Sequence, residues 1–140
     1  MRNFREFTSW RNATDFAVEI YRLTERFPAF EKFGLSSQMQ RAAVSVPANI
    51  AEGASRASDT EFARFLEIAL GSAFELETQL IIAGTLGYVP ADERDATASK
   101  LASLQKQLNA FLSKLRPSRR PSTPDRQPPT ANSQSPTANS

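Results

Sequence analysis

The feature that most constrains this chain is an apolar stripe that keeps its phase across a proline. Between Ser37 and Ala54, the residues Met39, Ala42, Val46, Ile50 and Ala54 recur at spacings of 3, 4, 4 and 4. That places them on one side of an α-helix. A polar row runs beside them: Gln38, Arg41, Ser45, Asn49, Glu52 and Arg56. Pro47 lies inside both rows, and a proline in mid-helix has no amide hydrogen, frees the carbonyl four residues back and bends the axis. The cost is about 3 kcal/mol in an ordinary helix interior. Either one bent helix spans the segment, or the helix breaks at Val46 and restarts with Pro47 in its first turn. The unbroken phase of both rows favours one bent helix. Ser37 with Gln40 fits a capping box at its start, and Ala42, Ala43, Ala48 and Ala51 allow a neighbouring backbone to come close.

Three other segments carry the same period. Trp10, Ala13, Ala17, Ile20, Thr24 and Phe27 form a seam between about Ser9 and Phe27, with Phe16, Tyr21 and Leu23 widening it enough to imply two packing partners. Pro28 ends that helix, because the residue before a proline is pushed out of the α region. The loop from Pro28 to Ser36 holds Phe30, Phe33 and Leu35, too apolar for a solvated loop, and is expected to fold back over a bundle end. Ser58 and Glu61 make a second capping box, with Asp59 adding favourable charge. The helix they open is the longest, running to about Leu86 with a core face of Phe62, Phe65, Ala69, Ala73, Leu76, Leu80 and Ala83. Leu66, Ile68, Leu70, Phe74, Ile81 and Ile82 make it apolar nearly all round, which predicts burial on most sides. Gly71 and Ser72 suggest a close helix approach near its middle, and Gly87 suits a left-handed end. Val89–Pro90 opens a fourth helix carrying Thr97, Leu101, Leu104, Leu108, Phe111 and Leu115 in a heptad. Four such helices with short connections predict an all-α, antiparallel up-and-down four-helix bundle over residues 1–116.

Composition closes off several chemistries. The chain has no cysteine and no histidine, which removes thiolate nucleophiles, zinc–thiolate sites and the commonest general base. The charged N-terminus is unlike a signal peptide and no apolar run approaches a membrane span. A cytoplasmic protein with no cofactor, metal or small-molecule substrate is expected. Residues 1–116 hold 14 Lys and Arg against 14 Asp and Glu, so the net charge of +2 belongs to Arg119, Arg120 and Arg126 set against Asp125 in the tail. From Pro117 to Ser140 there are six prolines, a repeated PTANS and no large apolar residue, the composition of a disordered Pro/Ser-rich tail.

Two groups of residues invite a functional reading. Arg41, Ser45, Asn49 and Glu52 face Ser72, Glu75 and Gln79 of the third helix at matching spacing. They form either a ligand site or, more in keeping with their regularity, a hydrogen-bonded network that sets helix register. Arg2, Arg5, Arg11, Arg22 and Arg26 cluster in the first segment and, with Arg119 and Arg120, would suit RNA or DNA phosphates, though Glu6, Asp15, Glu19 and Glu25 interleave with them. Carboxylates are plentiful, but a di-iron bundle needs Glu-x-x-His and this chain has no histidine.

Certain of these residues also resemble a known family. Phe33-Gly34-Leu35, Gln38 through Arg41, the run Ser45-Val46-Pro47-Ala48-Asn49-Ile50-Ala51-Glu52-Gly53, Gly71-Ser72 and Glu75-Leu76-Glu77 look like the four-helix-bundle proteins encoded in intervening sequences of bacterial 23S ribosomal RNA genes. Distant relatives of those proteins are the accessory variability determinants of diversity-generating retroelements. The resemblance covers about residues 4–115. It implies a cytoplasmic, non-enzymatic bundle assembled as a ring-like homopentamer, with a nucleic-acid-associated role in the retroelement branch, whose bundle is markedly basic where this one is neutral. Two expectations follow: a homo-oligomeric scaffold that buries surplus apolar surface between copies, or an accessory protein binding RNA through the arginines of the first helix and tail.

Overall fold

The computed structural model describes residues 2–116; the proposed tail, with Arg119 and Arg120, lies outside them. Four helices, α1 (Thr8–Thr24), α2 (Leu35–Ala54), α3 (Asp59–Thr85) and α4 (Ala91–Leu115), follow a short 3-10 turn at Phe4–Glu6, and a second such turn, Ala29–Glu31, lies between α1 and α2. No strand occurs among the described residues. Each helix packs on the next, and α4 closes the ring against α1, the topology of an up-and-down bundle.

The inner rows are the ones that periodicity names. On α2, Met39, Ala42, Val46, Ile50 and Ala54 are all buried, and the helix runs unbroken through Pro47. On α3, every residue of the expected core face is buried except Phe65, which is half-buried. On α4, Leu101, Leu104, Leu108 and Leu112 are buried while Phe111 and Leu115 pack partly covered at the margin. Ser58 Oγ accepts from the Glu61 amide at 3.2 Å, and Gly87 ends the α3 segment at φ +78°.

Three local expectations need correction. Ser37 does not cap α2: the helix starts at Leu35, its first turn closed by the Gln38 amide on the Gly34 carbonyl at 3.0 Å. Gln40 is thereby turned toward α1, where its Nε2 donates to Thr24 Oγ1 at 2.9 Å, while that hydroxyl donates to the Ile20 carbonyl. Gly71 marks no close approach, since a Cβ there would meet nothing within 4 Å. The glycine crowded against another helix's backbone is Gly53, where a Cβ would lie 2.8 Å from Phe65 Cβ and 3.3 Å from the Phe62 carbonyl oxygen. Finally, the loop does not tuck its aromatics in: Phe30 is 77% and Phe33 90% exposed. The buried Phe27, its ring centroid 5.3 Å from that of Tyr88, covers that end of the bundle instead.

The opposite end is held by Phe7, Phe62 and Phe111, whose ring centroids lie 5.0–6.0 Å apart. Aromatic pairs at such spacing add to area burial. Arg2 straps this end: its guanidinium lies over the Phe62 ring, pairs with Asp59 and donates to the Arg56 carbonyl at 3.3 Å.

Gly53 and Gly71 should therefore respond oppositely to alanine. Gly71→Ala, in open space, should raise stability by about 0.4–1 kcal/mol. Gly53→Ala forces two backbones apart and should cost about 1–3 kcal/mol. Thermal denaturation followed by circular dichroism checks both; equal shifts of the same sign would show that the α2–α3 approach is not the tight point of the fold.

Candidate functional site

The polar rows of α2 and α3 meet along the outer seam of these two helices. Their closest contact is Ser45 Oγ to Ser72 Oγ at 2.8 Å. Asn49, one turn along, donates through Nδ2 to both the Ser45 carbonyl (2.8 Å) and Ser45 Oγ (2.9 Å). Ser45 Oγ thus accepts from Asn49, and its hydrogen bond with Ser72 links the two helices. All three residues are half-buried, where an unmatched polar atom is costly and a matched one adds about 1 kcal/mol.

The rest of the predicted row does not join this cluster. Glu75 pairs along its own helix, accepting from Gln79 Nε2 at 3.2 Å, and Gln79 is buried with its Oε1 lacking a hydrogen-bond partner among the described residues. Glu52 is exposed and pairs with Arg56 at 3.1 Å, the Arg56 guanidinium lying 4.7 Å from the Phe65 ring centre. Arg41 is exposed at the rim of a cleft of about 320 Å³ lined by Gln38, Arg41, Ala42, Ser45, Ser72 and Glu75. Seven residues were expected as one network; the geometry makes one three-residue link between helices and two intrahelical pairs.

The arginines of the first segment are spread rather than gathered. Arg2 is committed to Asp59 and Arg26 to Glu93. Arg5 lies over the Phe4 ring, and Arg11 and Arg22 are exposed on α1, about 16 Å apart along its axis. The cleft beside Arg22 and Arg26 also carries Glu19, Glu25 and Glu93, so its charge is mixed.

Sequence reasoning missed how α1 and α4 are joined. Polar side chains bridge them at the surface: Asn12 Nδ2 donates to Gln107 Oε1 at 3.2 Å, Lys100 Nζ to Glu19 Oε1 at 2.6 Å, and Arg26 pairs with Glu93. The signal was available in the charged positions flanking each apolar seam, where bundle helices place interhelical ion pairs. At the Phe27 end, partial burial and then the Glu31 carboxylate push the Tyr88 hydroxyl above its ordinary value. Among the described residues, no group of three or more acidic side chains is placed to hold a metal ion, and no helix is long and apolar enough to cross a membrane.

Comparison with known proteins agrees with this architecture. The sequence model of a family described as 23S rRNA-intervening sequence protein matches residues 5–110. A crystal structure from Bacteroides thetaiotaomicron, described as a protein with unknown function from the S23 ribosomal protein family, superposes with a TM-score of 0.71 at 25% identity, covering 75% of this chain and 98% of that one. No curated protein matches the chain.

The interhelical link makes a specific demand. Asn49→Ala removes both donors to Ser45 and should lower stability by about 1–2 kcal/mol. The losses from Asn49→Ala and Ser72→Ala should not add, since both act through Ser45 Oγ. Chemical denaturation of the single and double variants checks this; strict additivity would mean that the contacts are independent.

Proposed function

The chain belongs to the 23S rRNA-intervening sequence protein family, and from that premise we propose that it is a non-enzymatic, cytoplasmic scaffold that works as a ring-like homo-oligomer, a pentamer by the family resemblance. The observation that carries the reading is surplus apolar surface on two different flanks of one bundle. Gln40 donating to Thr24 marks the α1–α2 seam. Beside it, Val18, Tyr21 and Val44 are each more than two-fifths exposed. Gln105 Nε2, 3.5 Å from the Ala73 carbonyl, marks the α3–α4 seam. Beside that one, Phe74 and Ile81 are 49% and 60% exposed, while Ile68 and Ile82 are exposed in line with Ser72 and Glu75, toward the α2–α3 seam. A single bundle with a complete core has no need of large apolar side chains outside it, and a patch of this kind marks an interface. Two unlike patches on one chain suit a head-to-tail contact, which closes into a ring, rather than a two-fold dimer.

Sedimentation velocity at micromolar concentration is the test. A single species several times the mass of the chain is expected, and Phe74→Glu should shift it toward the monomer while leaving helix content unchanged. A monomeric unmodified chain would end this reading.

A second reading, RNA binding as an accessory protein, is favoured by one observation: Arg5, Arg11 and Arg22 are exposed on the first segment, where a ring would repeat them around its circumference. Binding of a single-stranded RNA should then weaken steeply with salt, the slope falling when Arg11 and Arg22 are replaced by glutamine. A slope that ignores salt would exclude phosphate contacts.

A further inference from the structure

The start of α1 is left incomplete by the chain itself. Its N-cap, Phe7, makes no side-chain capping bond, and no acidic residue stands in the first turn. The amides of Thr8, Ser9 and Trp10 have no partner inside the helix and meet no acceptor among the described residues. The two longest helices supply their own complement: Ser58 caps α3 with Asp59 and Glu61 beside it, and Asp92 and Glu93 stand in the first turn of α4. A bare helix start would ordinarily be left to water, but a second group beside this one is also unsatisfied. Ser9 is only 6% exposed, and its Oγ has no hydrogen-bond partner among the described residues. A buried hydroxyl without a partner destabilises a fold, and a bound acceptor would relieve it.

These groups border one cleft of about 390 Å³, with Glu6, Thr8 and Ser9 on one side and Gln107, Phe111 and Lys114 of α4 on the other. Ser9 lies on the α4-facing side of α1, one turn before Asn12, whose Nδ2 reaches Gln107 Oε1 at 3.2 Å. That bond leaves Gln107 Nε2 without an acceptor, and Lys114 makes no ion pair among the described residues. Hydrogen-bond donors therefore dominate the cleft: three amides, the Ser9 hydroxyl, the Gln107 amide and the Lys114 ammonium. Glu6 is the one carboxylate on its border, and it accepts from none of them. We propose that this cleft binds a phosphate group, free or as an ester. Its oxygens meet the first-turn amides and Ser9 Oγ, which a turn about χ1 brings round, and Lys114 matches its charge. The helix start favours negative charge at that point. Donors coming from two helices suit a tetrahedral group with three or four oxygens, where a carboxylate with two would leave several unused. Nothing in this site requires a second copy of the chain.

Trp10, the chain's only tryptophan, stands in the same turn and serves as the reporter. Inorganic phosphate titrated into the full chain at constant ionic strength should change its fluorescence saturably, with half-saturation at about 1–10 mM. The amide resonances of Thr8, Ser9 and Trp10 should shift more than those elsewhere. Ser9→Ala should weaken binding by about tenfold or more, as the loss of a hydrogen bond to a charged group does. Without phosphate, that variant should melt no lower than the unmodified chain, because it removes a hydroxyl that had nothing to pair with; a serine with a purely structural role would lose stability. Lys114→Gln should weaken binding by about threefold or more, and Lys106→Gln, exposed about two turns earlier on α4, should leave it unchanged. A short oligouridylate forms the second arm. Shifts of the same amides at lower concentration than phosphate needs would assign the group to an RNA backbone, and a response to inorganic phosphate alone would assign it to a small molecule; either supports the site. First-turn amides that stay still with both probes, a response that never saturates, or equal losses from Lys114→Gln and Lys106→Gln would overturn the proposal.

Discussion

The fold depends on how closely α2 can approach α3. At Gly53 the two backbones come so near that even a methyl group would have to displace Phe65 or the Phe62 carbonyl. Above that point the facing positions are mostly small, with Ala42, Ala69 and Ala73 all buried. Close approach gains dispersion contacts along the whole seam, and this offsets the hydrogen bond that Pro47 removes from α2. The same proximity creates an obligation. Once Ser45 and Ser72 are carried into the seam, water has limited access, and their hydroxyls must pair with protein. They pair with each other, and Asn49 completes the arrangement.

The α1–α4 side is built by the opposite solution. There the long side chains Lys100, Glu19, Arg26 and Glu93 reach across the outside, over clefts of about 270 and 530 Å³. Exposed ion pairs of this kind contribute little each. The bundle is consequently tight along one seam and loosely fastened along the diagonally opposite one, and the loose seam is where opening motions should begin.

What could be read from the residues follows from this division. Burial has the period of the helix, so the inner rows of α1, α2, α3 and α4 were visible as spacings, and Pro47 could be kept inside one helix because the rows did not slip. The role of a glycine has no such signature. Gly53 and Gly71 look alike in sequence, and only the element opposite each decides which is crowded. Ser37 and Gln40 had the chemistry of a cap, but a helix starts where its first carbonyl is engaged, and Leu35 packing on the core moved that start to Gly34. For the polar row, spacing showed that the side chains share a face without showing how far each reaches. Ser45, Asn49 and Ser72 are short enough to sit in the seam; Arg41 and Glu52 extend past it into water.

The loop raises a different question, because its composition was read correctly and its placement was not. Phe30 and Phe33 are apolar enough to favour burial, and the core of a single copy has no room for them: Phe27 and Tyr88 already fill that end. An apolar side chain that cannot enter its own core keeps its full affinity for other apolar surface, roughly 25 cal/mol for each Å² removed from water. The same holds for Val18, Tyr21, Val44 and Phe74. The charges of a single copy carry no comparable surplus. The bundle is neutral by count, two of its first-segment arginines are committed to partners within the chain, and the exposed three are scattered. Three scattered charges on one copy would hold a polyanion weakly, so phosphate binding of any strength through them would need several copies held together.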